Sequence, residues 1–350
     1  MTPYSDYPAD YRAAQVAAIV RAVQAGESVS VVGLSGAGKS NLLGYLAARQ
    51  PWQTGRMALV DCNRLPDRSL PALFRLIIRA LGDEAAGGDL EAVDRAIERR
   101  LDAPLCLLFD RFDALNGDDS LAQIAAANLR ALRDAHKYSL TYVTATRRPL
   151  PAQTEFAELF HANTLWLGPL SESDTAWNVA RYARRRGVDW EAESAAMLAR
   201  LSGGYPSLLR AVCEAHAAGA AEAEIAGHSA VQARLAEFWA DEPSEEELTL
   251  SGLAGIQLLA GGRAPSFDTT QLTAKENLLL QYFQSRPGEV CEKDDLIRAV
   301  WPEDRVYEKG VRDDSLAQLV RRLREKIEPE PSAPKHIHTV PGRGYRFTAS

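Results

Sequence analysis

The sequence has no cysteine pair spaced to staple a loop or hold zinc. Cys62, Cys106, Cys213 and Cys291 lie far apart, and no CxxC occurs. That excludes a disulfide scaffold, argues against a zinc site and fits a reducing cytoplasm. No apolar run approaches the roughly 18 residues that suggest a membrane span, so neither a transmembrane helix nor a membrane partner is expected. The opening MTPYSDYPAD lacks both a basic n-region and an apolar h-region, so it does not read as a signal peptide. Internal repeats and long low-complexity tracts are also missing. What remains is an ordinary globular balance, 46% hydrophobic and 25% charged over 350 residues. Wholesale disorder and collagen are thereby excluded. At roughly 100–200 residues per domain, two or three domains are expected.

Net charge is −7, too acidic for a protein that coats nucleic acid everywhere. The charge is uneven, however. Residues 315–350 hold seven Lys and Arg against three acids, a surplus of four, so the rest of the chain carries −11. A basic end on an acidic body points weakly to local nucleic-acid contact, and equally to a solvated surface.

The chain alternates strand and helix signals up to Pro169. Residues 11–25 have helical spacing. SVSVV at 28–32 leads through a Gly-rich turn into a helix, NLLGYLAARQ. MALVD (57–61), PLCLLFD (104–110), LTYVTAT (140–146) and TLWL (164–167) read as further strands, with helices near 69–81, 89–101 and 120–136. Strands alternating with helices predict a parallel α/β sheet of five strands. Residues 170–240 read as a helical bundle. The acidic stretch 241–249 lacks apolar periodicity and is expected to be a linker. A third unit, 250–350, reads as short strands, three helices and a β-hairpin.

Gly33 to Ser40, GLSGAGKS, fits GxxxxGK[ST] between a strand and a helix. Glycines let backbone N–H groups curl around an anion, and the following helix turns its positive end toward it. Gly33, Ser35, Gly36, Ala37, Gly38, Lys39, Ser40 and Asn41 are the candidate nucleotide contacts. In this reading Lys39 bridges the β- and γ-phosphates of ATP, and the Ser40 hydroxyl ligates Mg²⁺. The run 104–113 resembles a Walker B element, with Asp110 at the strand tip as the second metal-holding group. The acid that usually follows this Asp is replaced by Arg111, and the next acid is Asp113. Fast hydrolysis is therefore not expected. The alternative for Asp110 is a simple N-cap of the next helix.

The fourth strand ends Thr144-Ala-Thr146-Arg147-Arg148. This resembles the γ-phosphate sensor of AAA+ and STAND ATPases and makes Arg147 a third candidate catalytic residue beside Asp110 and Asp113. The other reading is an arginine pair in a solvated loop. Gly203-Gly204-Tyr205-Pro206 resembles the GxP motif by which a helical lid places Pro206 on the nucleotide. It is also an ordinary joint between helices. Taken in order, these four motifs make the first 240 residues similar to a STAND/AAA+ ATPase core plus lid, related to origin-recognition ATPases.

Near the C-terminus, QLTAKENLLLQYF (271–283) begins with a Thr273/Glu276 capping box. EKDDLIRAVW (292–301) and DSLAQLVRRLREKIE (314–328) are further helices, and HIHTVPGRGYRF (336–347) is a hairpin. The pieces at 272–276, 296–301, 321–326 and 339–346 closely resemble the winged helix-turn-helix of OmpR/PhoB-type response regulators. That resemblance implies a double-stranded DNA partner. On 314–328, Leu316, Val320, Leu323 and Ile327 share one face and are expected in the core. Gln318 and Arg321 fall on the opposite face with Arg322 beside it. Gln reads adenine and Arg reads guanine in a major groove. Arg324, Lys326 and Arg346 are candidate phosphate contacts, and Arg343 sits at the hairpin tip for a minor groove. Glu325 must read a base, pair with an arginine or lie outside the contact.

Where response regulators carry a phospho-acceptor receiver, this sequence carries the ATPase. The expectation is a STAND-type, ATP/ADP-switched transcription regulator that self-associates on DNA, cytoplasmic and nucleoid-associated. The alternatives are an origin-recognition-like loading ATPase, and a defence or signalling switch whose winged helix binds protein.

Overall fold

Two units make up the chain, residues 1–256 and 257–350. The computed structural model describes residues 4, 6–83, 87–115, 119–150, 159–160, 163–262, 271–286, 288–301 and 313–348.

In the first unit, α1 (Ala13–Gln24) precedes β1 (Val29–Val32) and α2 (Lys39–Arg49). Then come β2 (Arg56–Asp61), α3 (Leu70–Ala80), α4 (Leu90–Glu98), β3 (Leu105–Asp110), α5 (Asp119–Ala135), β4 (Leu140–Thr146) and β5 (Thr164–Trp166). The five strands pair in parallel in the order β2-β3-β4-β1-β5. β3 and β4 are buried along their whole length. That explains the apolar run of β3, since helices cover both faces of such a sheet, whereas β4 also buries Thr141, Thr144 and Thr146. Leu107 and Phe109 pack with Leu73, Ile77, Val93 and Leu129 in one core. α2 packs on β2, β3 and β4 and buries Leu42, Leu43 and Leu46, which lie outside that core. Ser69 and Asp89 cap α3 and α4 by accepting the Ala72 and Ala92 amides, each cap worth about 1 kcal/mol.

Parallel pairing has one consequence for function. The segments leaving β1, β3 and β4 all emerge at the C-terminal edge of the sheet. The glycine loop, Asp110 and Arg147 therefore share that edge.

The lid consists of α6 (Glu172–Arg186), α7 (Ala192–Ser202), α8 (Pro206–Ala217), α9 (Glu222–Ile225) and α10 (Ser229–Trp239). Ser171 caps α6, and Gly187 ends it in the left-handed region at φ +67°. The segment expected as a linker, 241–249, differs from expectation. It carries α11 (Glu245–Leu250), opened by a reciprocal Ser244–Glu247 capping box. It belongs to the first unit. Its acids are not merely solvated. Glu245, Glu246 and Glu247 occupy the first turn, where the helix dipole favours them, and Asp241 and Glu247 pair with Arg147 and Arg148.

The second unit contains α12 (Gln257–Gly262), α13 (Ala274–Gln284), β6 (Val290–Glu292), α14 (Lys293–Val300), α15 (Asp313–Ile327), β7 (Ile337–Val340) and β8 (Gly344–Phe347). Its sheet is antiparallel in the order β6-β8-β7. Of the strands expected between 250 and 270, the described part shows turns at 251–256 and helix at 257–262, and 263–270 lies outside the described residues. The Thr273–Glu276 capping box is present. Leu316, Val320, Leu323 and Ile327 are all buried, packed with Phe283, Leu296 and Phe347. At the end of α15, the Glu328 carboxylate accepts the amides of Lys335, His336 and Ile337. That one side chain fixes the start of β7. Among the described residues, no helix is long and apolar enough to cross a membrane.

Candidate functional site

The loop after β1 turns on two left-handed glycines, Gly36 at φ +87° and Gly38 at φ +90°. Gly36 is constrained twice, because a Cβ there would lie 2.1 Å from Ser207 Oγ. Gly38 caps α2, so Lys39 is its first residue. Lys39 Nζ donates to the Gly33 and Leu34 carbonyls of its own loop. Burial lowers its pKa, while Asp113 and Asp110 favour its charged form.

Ser40 Oγ donates to Asp110 Oδ1 at 3.0 Å. The two candidate Mg²⁺ ligands are thus adjacent. Burial pushes the Asp110 carboxyl above its ordinary value, opposed by the Ser40 hydrogen bond. A hydroxyl beside a carboxylate is a hard oxygen set and fits Mg²⁺. Arg111 takes a left-handed φ of +53°, and its Nη1 donates to Asn63 Oδ1 at 3.3 Å. Asp113, also raised by burial, accepts the Arg147 amide with both oxygens at 3.0 Å. It braces the end of β4.

Arg147 points its guanidinium at Asp241, Nη1 to Oδ1 at 2.6 Å and Nη2 to the carbonyl at 2.7 Å. The sensor candidate is thus held by an internal acid.

The lid is seated on the loop. Tyr205 Oη donates to Ser35 O at 2.6 Å, and the Ser207 amide donates to Gly36 O at 3.2 Å. Pro206 Cγ lies 3.5 Å from the position of a Gly38 Cβ. Asn41 and Pro206 line a cavity of about 570 Å³ together with Tyr4, Tyr7, Leu170 and Arg181. Aromatic walls beside the glycine loop suit a flat heteroaromatic base.

Arg12 escaped the sequence reading. It is 2% exposed and left-handed at φ +47°. Its amide donates to Asp174 of the lid, and Nη2 donates to the carbonyls of Ala37 and Gly168. One residue therefore joins the loop, the end of the sheet and the lid. No local pattern marks it, because its partners are remote in sequence.

On the winged helix, Gln318, Arg321, Arg322, Arg343 and Arg346 are exposed. Arg321 pairs with Glu325 at 3.0 Å, which resolves the position of that acid. Arg343 approaches Glu292 at 3.7 Å. Arg324 and Lys326 depart from expectation. Arg324 donates through Nε and Nη2 to Ile337 O, and to Thr339 Oγ1. Lys326 donates to Gln271 O at 2.9 Å and pairs at 2.6 Å with Glu276, whose side chain is 2% exposed. Both serve the fold rather than standing free for phosphates. At the wing, a Cβ on Gly344 would lie 2.1 Å from Cys291 O, so the approach of β6 to β8 requires glycine there.

A glycine loop on a parallel sheet with a helical lid defines a P-loop nucleotide-binding core, and the second unit is a winged helix. The chain belongs to the family described as Novel STAND NTPase 1, whose profile matches residues 11–261. Residues 268–347 match the domain described as Transcriptional regulatory protein, C terminal. The chain is similar to the uncharacterized transcriptional regulatory protein YcbL of Bacillus subtilis. Identity is 32% over 114 residues, or 33% of this chain and 49% of that one. It is also similar to YvrH of the same organism, 38% identical over 91 residues, covering 26% and 35%. The chain therefore spans about half or less of these curated relatives. Its fold is similar to that of the Walker-type ATPase PABY2304 of Pyrococcus abyssi. The TM-score is 0.50 at 13% identity, over 97% of this chain and 93% of that one.

Proposed function

We propose that this protein is an ATP-binding, nucleotide-switched DNA-binding regulator that self-associates on DNA. One observation carries the reading. The Ser40–Asp110 pair lies at a glycine loop that the lid touches directly, in the same chain as a regulator-type winged helix. The loop amides and Lys39 hold the phosphates, which requires the ammonium to leave the Gly33 and Leu34 carbonyls. Ser40 and Asp110 hold Mg²⁺, which when bound neutralises phosphate charge. Tyr205 and Ser207 bond to loop carbonyls, so a rearranged loop is felt at the lid. Arg147 senses the terminal phosphate. Without an acid at position 111, turnover is slow and the protein acts as a switch. Gln318, Arg321, Arg322, Arg343 and Arg346 contact DNA. The protein then works in the cytoplasm, on the nucleoid.

The test is equilibrium titration of the full chain with ATP and ADP, with and without Mg²⁺, beside Lys39→Ala. Removing a charge-assisted phosphate contact should abolish ATP binding. Equal affinity in wild type and variant would sink the reading.

A further inference from the structure

Arg147 follows Thr146, whose carbonyl accepts the Gly33 amide at the start of the glycine loop, so the Arg147–Asp241 contact lies at that edge of the sheet. The Arg147 backbone is pinned by both oxygens of Asp113, so only its side chain has freedom to choose a partner. That side chain is three-quarters buried, and its two terminal nitrogens are spent on Asp241. Nε is buried with no hydrogen-bond partner among the described residues. Arg148 adds bonds to the Asp241 and Glu242 carbonyls and an ion pair with Glu247. Glu242 itself sits in the left-handed region at φ +47°, a conformation that other contacts must impose. The Asp241 charge is felt at Lys39 and at Tyr205, which places this carboxylate in the electrostatic neighbourhood of the glycine loop.

We propose that Asp241 is a resident substitute for the terminal phosphate of a nucleoside triphosphate. It holds Arg147 until a triphosphate takes that arginine away, and the exchange releases residues 241–250. The proposal rests on the nucleotide-binding reading and adds to it the group that is displaced. A terminal phosphate beside Lys39 attracts Arg147 and repels the Asp241 carboxylate, so both effects act in one direction. A diphosphate lacks the group that does this, and leaves the latch closed. Residues 241–250 lead along the chain to the second unit, which begins at Gln257. The nucleotide is thereby coupled to the segment that precedes residues 251–256, the last of the first unit before the second begins.

The experiment is hydrogen exchange at 241–250 in the full chain without nucleotide, with Mg²⁺-ADP and with a Mg²⁺-bound non-hydrolysable ATP analogue. Calorimetric affinities for both nucleotides accompany it. Wild type should exchange slowly in the first two states and about tenfold faster with the analogue, an ordinary size for coupling between sites. Asp241→Asn should exchange fast in all three states. It should also raise the analogue-to-ADP affinity ratio about tenfold while leaving ADP affinity unchanged. Glu247→Gln, which keeps the capping box, should act in the same direction more weakly. The wild-type comparison needs no variant, so the proposal stays falsifiable if Asp241→Asn does not fold. Equal exchange in all three states of a wild type that binds both nucleotides overturns it, as does an unchanged affinity ratio in Asp241→Asn. Wild type binding neither nucleotide would instead bring down the underlying reading, and this proposal with it.

Discussion

The Ser40 hydroxyl meets the Asp110 carboxylate at 3.0 Å, although β4 lies between the strands that deliver them. The crossed strand order, rather than proximity along the chain, makes this pair. It follows that Ser40→Ala should remove one Mg²⁺ ligand and leave the sheet intact. The expected result is a loss of the Mg²⁺-dependent part of ATP affinity. Stability should fall by only about 1 kcal/mol, the usual net worth of one hydrogen bond. Parallel ATP titrations with and without Mg²⁺, plus a thermal melt, check both halves.

Turnover should be slow. Asp113 is committed to the Arg147 amide, and Arg111 bonds to Asn63. Neither stands ready to polarise water. A steady-state phosphate-release assay should give a rate well below ~10 s⁻¹, the median for enzymes. Arg111→Glu should raise it, by up to about 10²-fold, as expected for an added general base. An unchanged rate in that variant would mean that position 111 is not where the missing base belongs.

Acid should weaken the winged helix through Glu276. Burial raises this carboxyl, but the Lys326 ammonium and Thr273 outweigh it, so Glu276 titrates below its ordinary value. A depressed folded-state pKa means stability that is present above the unfolded value of about 4.3. It is lost as pH falls through the folded value. Glu276→Gln should cost about 1 kcal/mol near neutrality and flatten the acid dependence. Hydrogen exchange of α13 across pH reads this directly, and parallel pH curves for both proteins would refute it.

DNA contacts should divide along the same structural line. Arg322→Ala and Arg346→Ala should weaken all sequences alike, each reducing the log–log salt slope by about 0.9. Arg321 leaves Glu325 to read a base, so Arg321→Ala should cost about 1–3 kcal/mol at a single base position. Arg324→Ala should leave the slope unchanged and loosen the hairpin, because its bonds run to Ile337 and Thr339. A slope change for Arg324→Ala equal to that for Arg322→Ala would restore it as a phosphate contact.

The glycine loop was legible in the sequence because its chemistry sits in eight consecutive residues with a strand before and a helix after. The core face of α15 was legible for a similar reason, since helical periodicity places Leu316, Val320, Leu323 and Ile327 together. Arg324 and Lys326 misled because periodicity says nothing of what another element lays over a face. The hairpin and the start of α13 claim them. Arg12 was invisible for want of any local signal, as its bonds reach 156 and 162 residues along the chain. The acids of 241–249 looked like a solvated linker because composition does not reveal that Arg147 and Arg148 wait for them. β6 spans only three residues, too few to show alternation.

The central claim is that nucleotide state governs DNA binding. Fluorescence anisotropy of the full chain on specific and scrambled duplexes, across salt, with Mg²⁺-ATP, Mg²⁺-ADP and neither, tests it most directly. A single winged helix makes few phosphate contacts, so firm binding should need two or more copies on half-sites about one helical turn apart. The account predicts salt-dependent binding that is tighter with ATP than with ADP and steeper in protein concentration. Firm binding that is identical with ATP and ADP would contradict the switch. No salt-dependent binding to any duplex in any nucleotide state would contradict the DNA-binding claim itself.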